Sequence, residues 1–95
     1  MAKTIELFSL PPSSPGQART LTAIRYGRAD AGGPKAYIQA GLHADEPPGL
    51  LVMHHLIDRL DRLEASGGIV GEIVLVPAAN PIGLGQWRDE KIQGR

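Results

Sequence analysis

The stretch from Lys35 to Asn80, KAYIQAGLHADEPPGLLVMHHLIDRLDRLEASGGIVGEIVLVPAAN, decides the fold. Lys35 to Leu42 reads as a strand whose small residues Ala36, Ala40 and Gly41 suit close packing on both faces. Pro47 then brings the fixed φ favoured at a first helical position, with Asp45 and Glu46 beside it at the positive end of the helix dipole. Leu50, Met53, Ile57, Leu60 and Glu64 follow in steps of three and four, and Leu56 and Leu63 widen the apolar stripe. His55, Asp58, Arg59, Asp61 and Arg62 fall mostly on the opposite side. The spacing predicts one amphipathic helix of about five turns, stopped by Gly67 and Gly68 through a left-handed cap. EIVLVPAA follows as a nearly continuous apolar run, the pattern of an interior parallel strand covered on both faces. Strand, helix and strand in this order make a crossover unit with its two strands parallel.

Working outward, Thr4 to Leu10 reads as a short strand closed by PPSSPG at 11–16. TLTAIRYG mixes β-branched and aromatic residues, ends at Gly27, and runs into the turn-rich ADAGGP. The predicted order is therefore strand, strand, strand, helix, strand, in the α/β class, with a mixed sheet and flanking helices. In such sheets ligands collect beyond the carboxyl ends of the parallel strands, and both GLHADE and Asn80-Pro81 must lie there. From Ile82 to Arg95 the chain is polar and glycine-containing, without a clear period.

Composition narrows the partners. Ninety-five residues fit one small domain with a modest core, roughly 60 to 68% of the unfolded surface being buried at this size. Ten basic and ten acidic residues cancel, so no basic stripe is offered to a phosphate backbone and no nucleic-acid partner is expected. With no cysteine, thiolate metal sites, disulfides and a cysteine nucleophile all drop out, and any metal must use His and carboxylate. The opening MAKTIELFSL has a Glu inside what would be the apolar region of a signal peptide. No apolar run approaches the ~20 residues that span a bilayer. The expectation is a soluble, cytoplasmic protein with no membrane partner.

His43 and Glu46 bracket the strand-to-helix turn, and Pro47 and Pro48 hold the pair just outside the helix. A neutral imidazole and a carboxylate three residues apart can hold one divalent cation, and the donor types suit zinc. A surface His beside a capping carboxylate is the alternative for such a pair. Asn80 could hydrogen-bond the loop that carries these residues, with Pro81 and Gly83 setting its path; a plain strand-ending Asn-Pro turn explains them equally well. His54 and His55 ride the helix ~12 Å beyond Glu46, too far for the same ion at Zn–N bonds of about 2 Å, and read as helix surface or packing residues.

From Ala36 to Gly83 the chain resembles the first half of the zinc carboxypeptidase superfamily, and most its succinylglutamate desuccinylase and aspartoacylase branch. GLHADEPPG resembles that branch's GxHGDExxG turn, with Ala44 where glycine is usual, and VPAANPIG resembles its VPxxNPxG. The resemblance implies that His43 and Glu46 are two zinc ligands and that a later arginine polarises the scissile carbonyl and stabilises the oxyanion. Arg95, fifteen positions after Asn80, best matches that arginine, with Arg88 next; either reads otherwise as a solvated surface residue.

The resemblance also implies a third ligand, a substrate-binding Asn-Arg pair and a general-base Glu, none of which has a counterpart here. The chain is therefore expected to be a single incomplete domain over 1–95. It reads as the N-terminal portion of a zinc-dependent hydrolase that cleaves an amide bond, as a deacylase or carboxypeptidase, in a small acyl-amino acid or peptide. Two other readings stay open: a truncated, non-catalytic α/β scaffold or binding module, and an assembly unit that self-associates through an open sheet edge.

Overall fold

The computed structural model describes residues 3–12, 15–16, 18–28, 32–43, 47–81 and, as backbone, 87–88 and 91–92. Strands β1 (Thr4–Leu10), β2 (Arg19–Gly27), β3 (Lys35–Gln39) and β4 (Glu72–Val76) form one sheet in the order β1-β2-β4-β3, and helix α1 (Pro48–Ala65) joins β3 to β4. β1 and β2 pair antiparallel from Thr4 opposite Arg25 to Leu10 opposite Arg19. β4 enters between β2 and β3, antiparallel to the first and parallel to the second. This is the predicted mixed α/β sheet with one parallel crossover.

Alternation along the strands divides the sheet into two faces. Ile24, Tyr26 and Leu75 point to the helix side and pack with Met53 and Leu60, edged by Ala40, Leu56, Ile57, Ile69 and Ile73. Ala23, Val74 and Val76 point the other way, beside Leu21 and Ala79. On that second face Glu6, Arg25, Glu72 and Lys35 form a row of charges across all four strands. The Glu72 carboxylate is 5% exposed and lies 3.5 Å from Arg25 Nη1 and 3.1 Å from Lys35 Nζ. Its approach to Lys35 is an ion pair by distance whose direction falls short of a hydrogen bond.

The helix follows its apolar period, with Met53 and Leu60 buried. Pro47 is the N-cap and Pro48 the first helical residue, one position later than the sequence suggests, and among the described residues no side chain caps this end. At the other end Gly67 takes φ +73°, its N–H donates to Glu64 O at 3.1 Å, and the Gly68 N–H donates to Leu63 O at 2.8 Å. These two bonds are the Schellman pattern that the double glycine predicts.

Three expectations are corrected. Asp61 does not face away from the sheet: it accepts from the Tyr26 hydroxyl at 2.7 Å and pairs with Lys3 Nζ at 2.8 Å. β3 is not packed on both faces, since all five of its residues are exposed and its outer edge has no partner strand among the described residues. It also ends at Gln39 rather than Leu42, because Gly41 turns the chain with φ +69°. The final segment, without a period in the sequence, contains a short antiparallel pair, β5 (Trp87–Arg88) and β6 (Lys91–Ile92). Among the described residues no helix is long and apolar enough to cross a membrane.

Candidate metal centre

The parallel pair sets where chemistry can occur. β3 and β4 run side by side from Lys35 opposite Glu72 to Gln39 opposite Val76, so the chain leaves both at the same rim. Ala40 to His43 and Pro77 to Pro81 are the two exit segments, and they are hydrogen-bonded to each other. The Ala79 N–H donates to Ala40 O at 2.8 Å and the Asn80 N–H to Gly41 O at 3.0 Å. Gly41 is buried in this junction: a β-carbon there would stand 3.0 Å from Leu50 Cδ2 and 3.4 Å from Ala78 Cα. With φ +69° as well, a side chain here would be strained in its backbone and would press on Leu50.

His43 lies on this rim and is exposed, immediately after Leu42. Asn80 Nδ2 donates to the Leu42 carbonyl at 3.3 Å, so the sequence reading of Asn80 as a tie to the site loop describes its contact. Pro81 follows at the first turn beyond the strand. Glu46, Gly83 and Arg95 lie outside the described residues, and Arg88 is described only as backbone in β5. His54 and His55 stand edge to face on α1, with ring centroids 5.5 Å apart and both residues exposed, as helix-surface residues.

An exposed imidazole at an open rim has the donor chemistry and the room that a zinc ion needs, so His43 fits such a role. Among the described residues no group of three or more His, Asp, Glu or Cys side chains could hold a metal together. Beside His43 an apolar hollow of about 840 Å³ opens between the β3 edge and the first turns of α1, lined by Ile38, Leu42, Pro48, Val52, Met53 and Leu56 among others. This hollow is not legible in the sequence, because exposed Ile38, Leu42 and Val52 come from three separate segments.

Comparison with known proteins places this rim in a family. The model of the succinylglutamate desuccinylase/aspartoacylase catalytic domain matches residues 32–88, which include His43, Glu46, Asn80, Pro81, Gly83 and Arg88 but stop short of Arg95. The chain is similar to a succinylglutamate desuccinylase/aspartoacylase family protein from Shewanella amazonensis, with 33% identity over 97% of this chain and 24% of that one, at a TM-score of 0.79. A protein of the same type from Shewanella frigidimarina shares 30% identity over 98% of this chain and 24% of its own, at a TM-score of 0.81. An aspartoacylase family protein from Mesorhizobium loti shares the fold, with a TM-score of 0.67 at 24% identity, over 98% of this chain and 28% of that one. No curated protein matches. The chain thus spans about a quarter of the length of the solved structures it matches. Over residues 32–88, more than half of its length, this chain belongs to the succinylglutamate desuccinylase/aspartoacylase family.

Proposed function

We propose that this chain supplies the N-terminal part of the catalytic domain of a zinc-dependent deacylase acting on an acyl-amino acid or a related small amide. The observation that carries the reading is that one family match spans both rim segments, GLHADEPPG and VPAANPIG. In this reading the imidazole of His43 and the carboxylate of Glu46 hold the metal. A bound zinc supplies Lewis acidity for activating water and for polarising the acyl carbonyl. His43, exposed at the rim, would be one of the residues that hold that metal. Arg95, with Arg88 as the alternative, is the cation proposed to face the developing oxyanion. Arg88 gains weight from lying inside the matched residues. The reading also places the protein in the cytoplasm.

Two metal ligands and one arginine do not complete an amide hydrolase, which also needs a closed site and a base. Accordingly the 95-residue chain, assayed with Zn²⁺ against N-acyl amino acids and short peptides, should show no turnover above buffer. A longer polypeptide that extends this chain to the length of the solved structures it matches should hydrolyse N-acyl amino acids and lose activity on Glu46→Ala. Zinc-dependent turnover by the short chain, abolished by His43→Ala, would overturn the incomplete-domain reading.

The open edge of β3 favours a second reading, a non-catalytic scaffold that associates with another copy. All five residues of KAYIQ are exposed, and beyond Lys35, which turns toward Glu72 at the start of the strand, AYIQ carries neither proline nor charge and has no partner strand on its outer side among the described residues. Sedimentation of the isolated chain separates the readings: a dimer dispersed by Ile38→Lys supports association, and a monomer at high concentration rules it out.

A further inference from the structure

We infer that Asn80 is a positioning residue for the His43 loop and that its carboxamide replaces a backbone donor which Pro81 cannot provide. The inference rests on the reading of His43 as a metal ligand for its function, but its geometry stands apart from that reading.

Three consecutive carbonyls lead from β3 to His43, and each accepts a hydrogen bond from the segment that leaves β4. Ala40 O takes the Ala79 N–H at 2.8 Å, and Gly41 O takes the Asn80 N–H at 3.0 Å. The next donor along the backbone would be residue 81, which is a proline and has no N–H. Leu42 O is instead met by Asn80 Nδ2 at 3.3 Å, so the side chain extends the ladder one step past where the backbone ends it. That third carbonyl is the one directly joined to His43.

The chemistry of the contact restricts the residue. A carbonyl needs a donor, and aspartate of the same shape is acceptor-only when ionised. A short side chain is also required, because the donor must curl back within one residue of its own backbone N–H. On the other side of the segment the backbone runs close to the first turn of α1, where a β-carbon added at Gly41 would stand 3.0 Å from Leu50 Cδ2. The loop is therefore held from both sides just before the imidazole, and the second motif of the chain serves to fix the first. Groups that orient a metal ligand at one remove affect metal affinity by roughly 10- to 100-fold.

Nuclear magnetic resonance of the isolated chain tests this. The Asn80 carboxamide protons should exchange more slowly than those of exposed Gln39 and show a through-bond coupling to the Leu42 carbonyl carbon. Asn80→Ala and the isosteric Asn80→Asp should both shift the Leu42 carbonyl and the His43 amide, while Tyr26 and Leu75 keep their positions. Titration with Zn²⁺ alone, followed at His43, should then be weakened roughly tenfold or more in both variants. An Asn80→Asp chain with unchanged Leu42 and His43 signals, or no coupling in the unaltered chain, overturns the inference. Zn²⁺ that leaves His43 unperturbed in the unaltered chain would sink the ligand reading instead, with the positioning role decided by the metal-free spectra.

Discussion

The hydroxyl of Tyr26, a residue with no exposed surface, donates to Asp61 Oδ1 at 2.7 Å and ties β2 to the last third of α1. Lys3 completes the contact, with Nζ 2.8 Å from the same carboxylate oxygen and 5.7 Å from the centre of the Tyr26 ring. Tyr26 lies opposite Ile73 near the start of β4, so this network sits at the rim opposite His43. It stabilises the crossover unit without touching the site.

Asp61→Ala should cost about 1 to 2 kcal/mol, because the Tyr26 hydroxyl would be left with only the Ile57 carbonyl at 3.5 Å. The ion pair itself adds little, since its two side chains are 32% and 42% exposed and such pairs are worth about 0 to 1 kcal/mol. Asp61→Asn keeps an acceptor for Tyr26 and should therefore lose less than half as much. Denaturant unfolding of the three proteins checks the order; equal losses from Ala and Asn would mean that charge, not the hydroxyl contact, dominates.

The same network sets a pH dependence at both ends. The hydrogen bond from Lys3, then that from Tyr26, holds the Asp61 carboxyl below its ordinary value, so its stabilisation is present above about pH 4 and is lost as pH falls through the depressed value. Burial, reinforced by the Asp61 hydrogen bond, pushes the Tyr26 phenol above its ordinary value. That contribution is complete below about pH 10 and declines as pH rises beyond it. Thermal unfolding across pH, compared with Asp61→Asn, should show a smaller acid-side slope in the variant; identical slopes would contradict the assignment.

Leu60, 5% exposed against the sheet, should cost about 2 to 5 kcal/mol when replaced by Ala. Asp58, exposed on the outer face and paired with Arg62 four residues on, should cost within about 0.5 kcal/mol when replaced by Ala. Similar losses at the two positions in a urea series would overturn the helix orientation.

Much of this was legible in the sequence because it is local. The β1 bounds, the five-turn helix and its Schellman end follow from turn residues and periodicity alone. The helical period puts Asp61 mostly on the outer face, yet a signal for its true place exists: it lies four residues after Ile57, on the flank of the apolar stripe, and a fully buried tyrosine needs a partner for its hydroxyl. The exposure of β3 was not legible, since KAYIQ reads alike at an edge or in an interior. In the sequence Gly41 reads as a small packing residue, whereas in the structure its positive φ turns the chain just past the strand. The sequence allows Asn80 either as a tie to the site loop or as part of a plain Asn-Pro turn; the bond to Leu42 and its link to the missing N–H of Pro81 need the register of the two exit segments.

The most direct test of the account is a Zn²⁺ titration of the 95-residue chain, by calorimetry and by the imidazole signals of its three histidines. Two protein ligands leave at least one position that zinc sites normally fill from the protein, so binding should be feeble. The account predicts that His43 alone among the histidines responds, and that His43→Ala and Glu46→Ala each abolish the response. Tight binding that survives His43→Ala, or a response centred on His54 and His55, would contradict it.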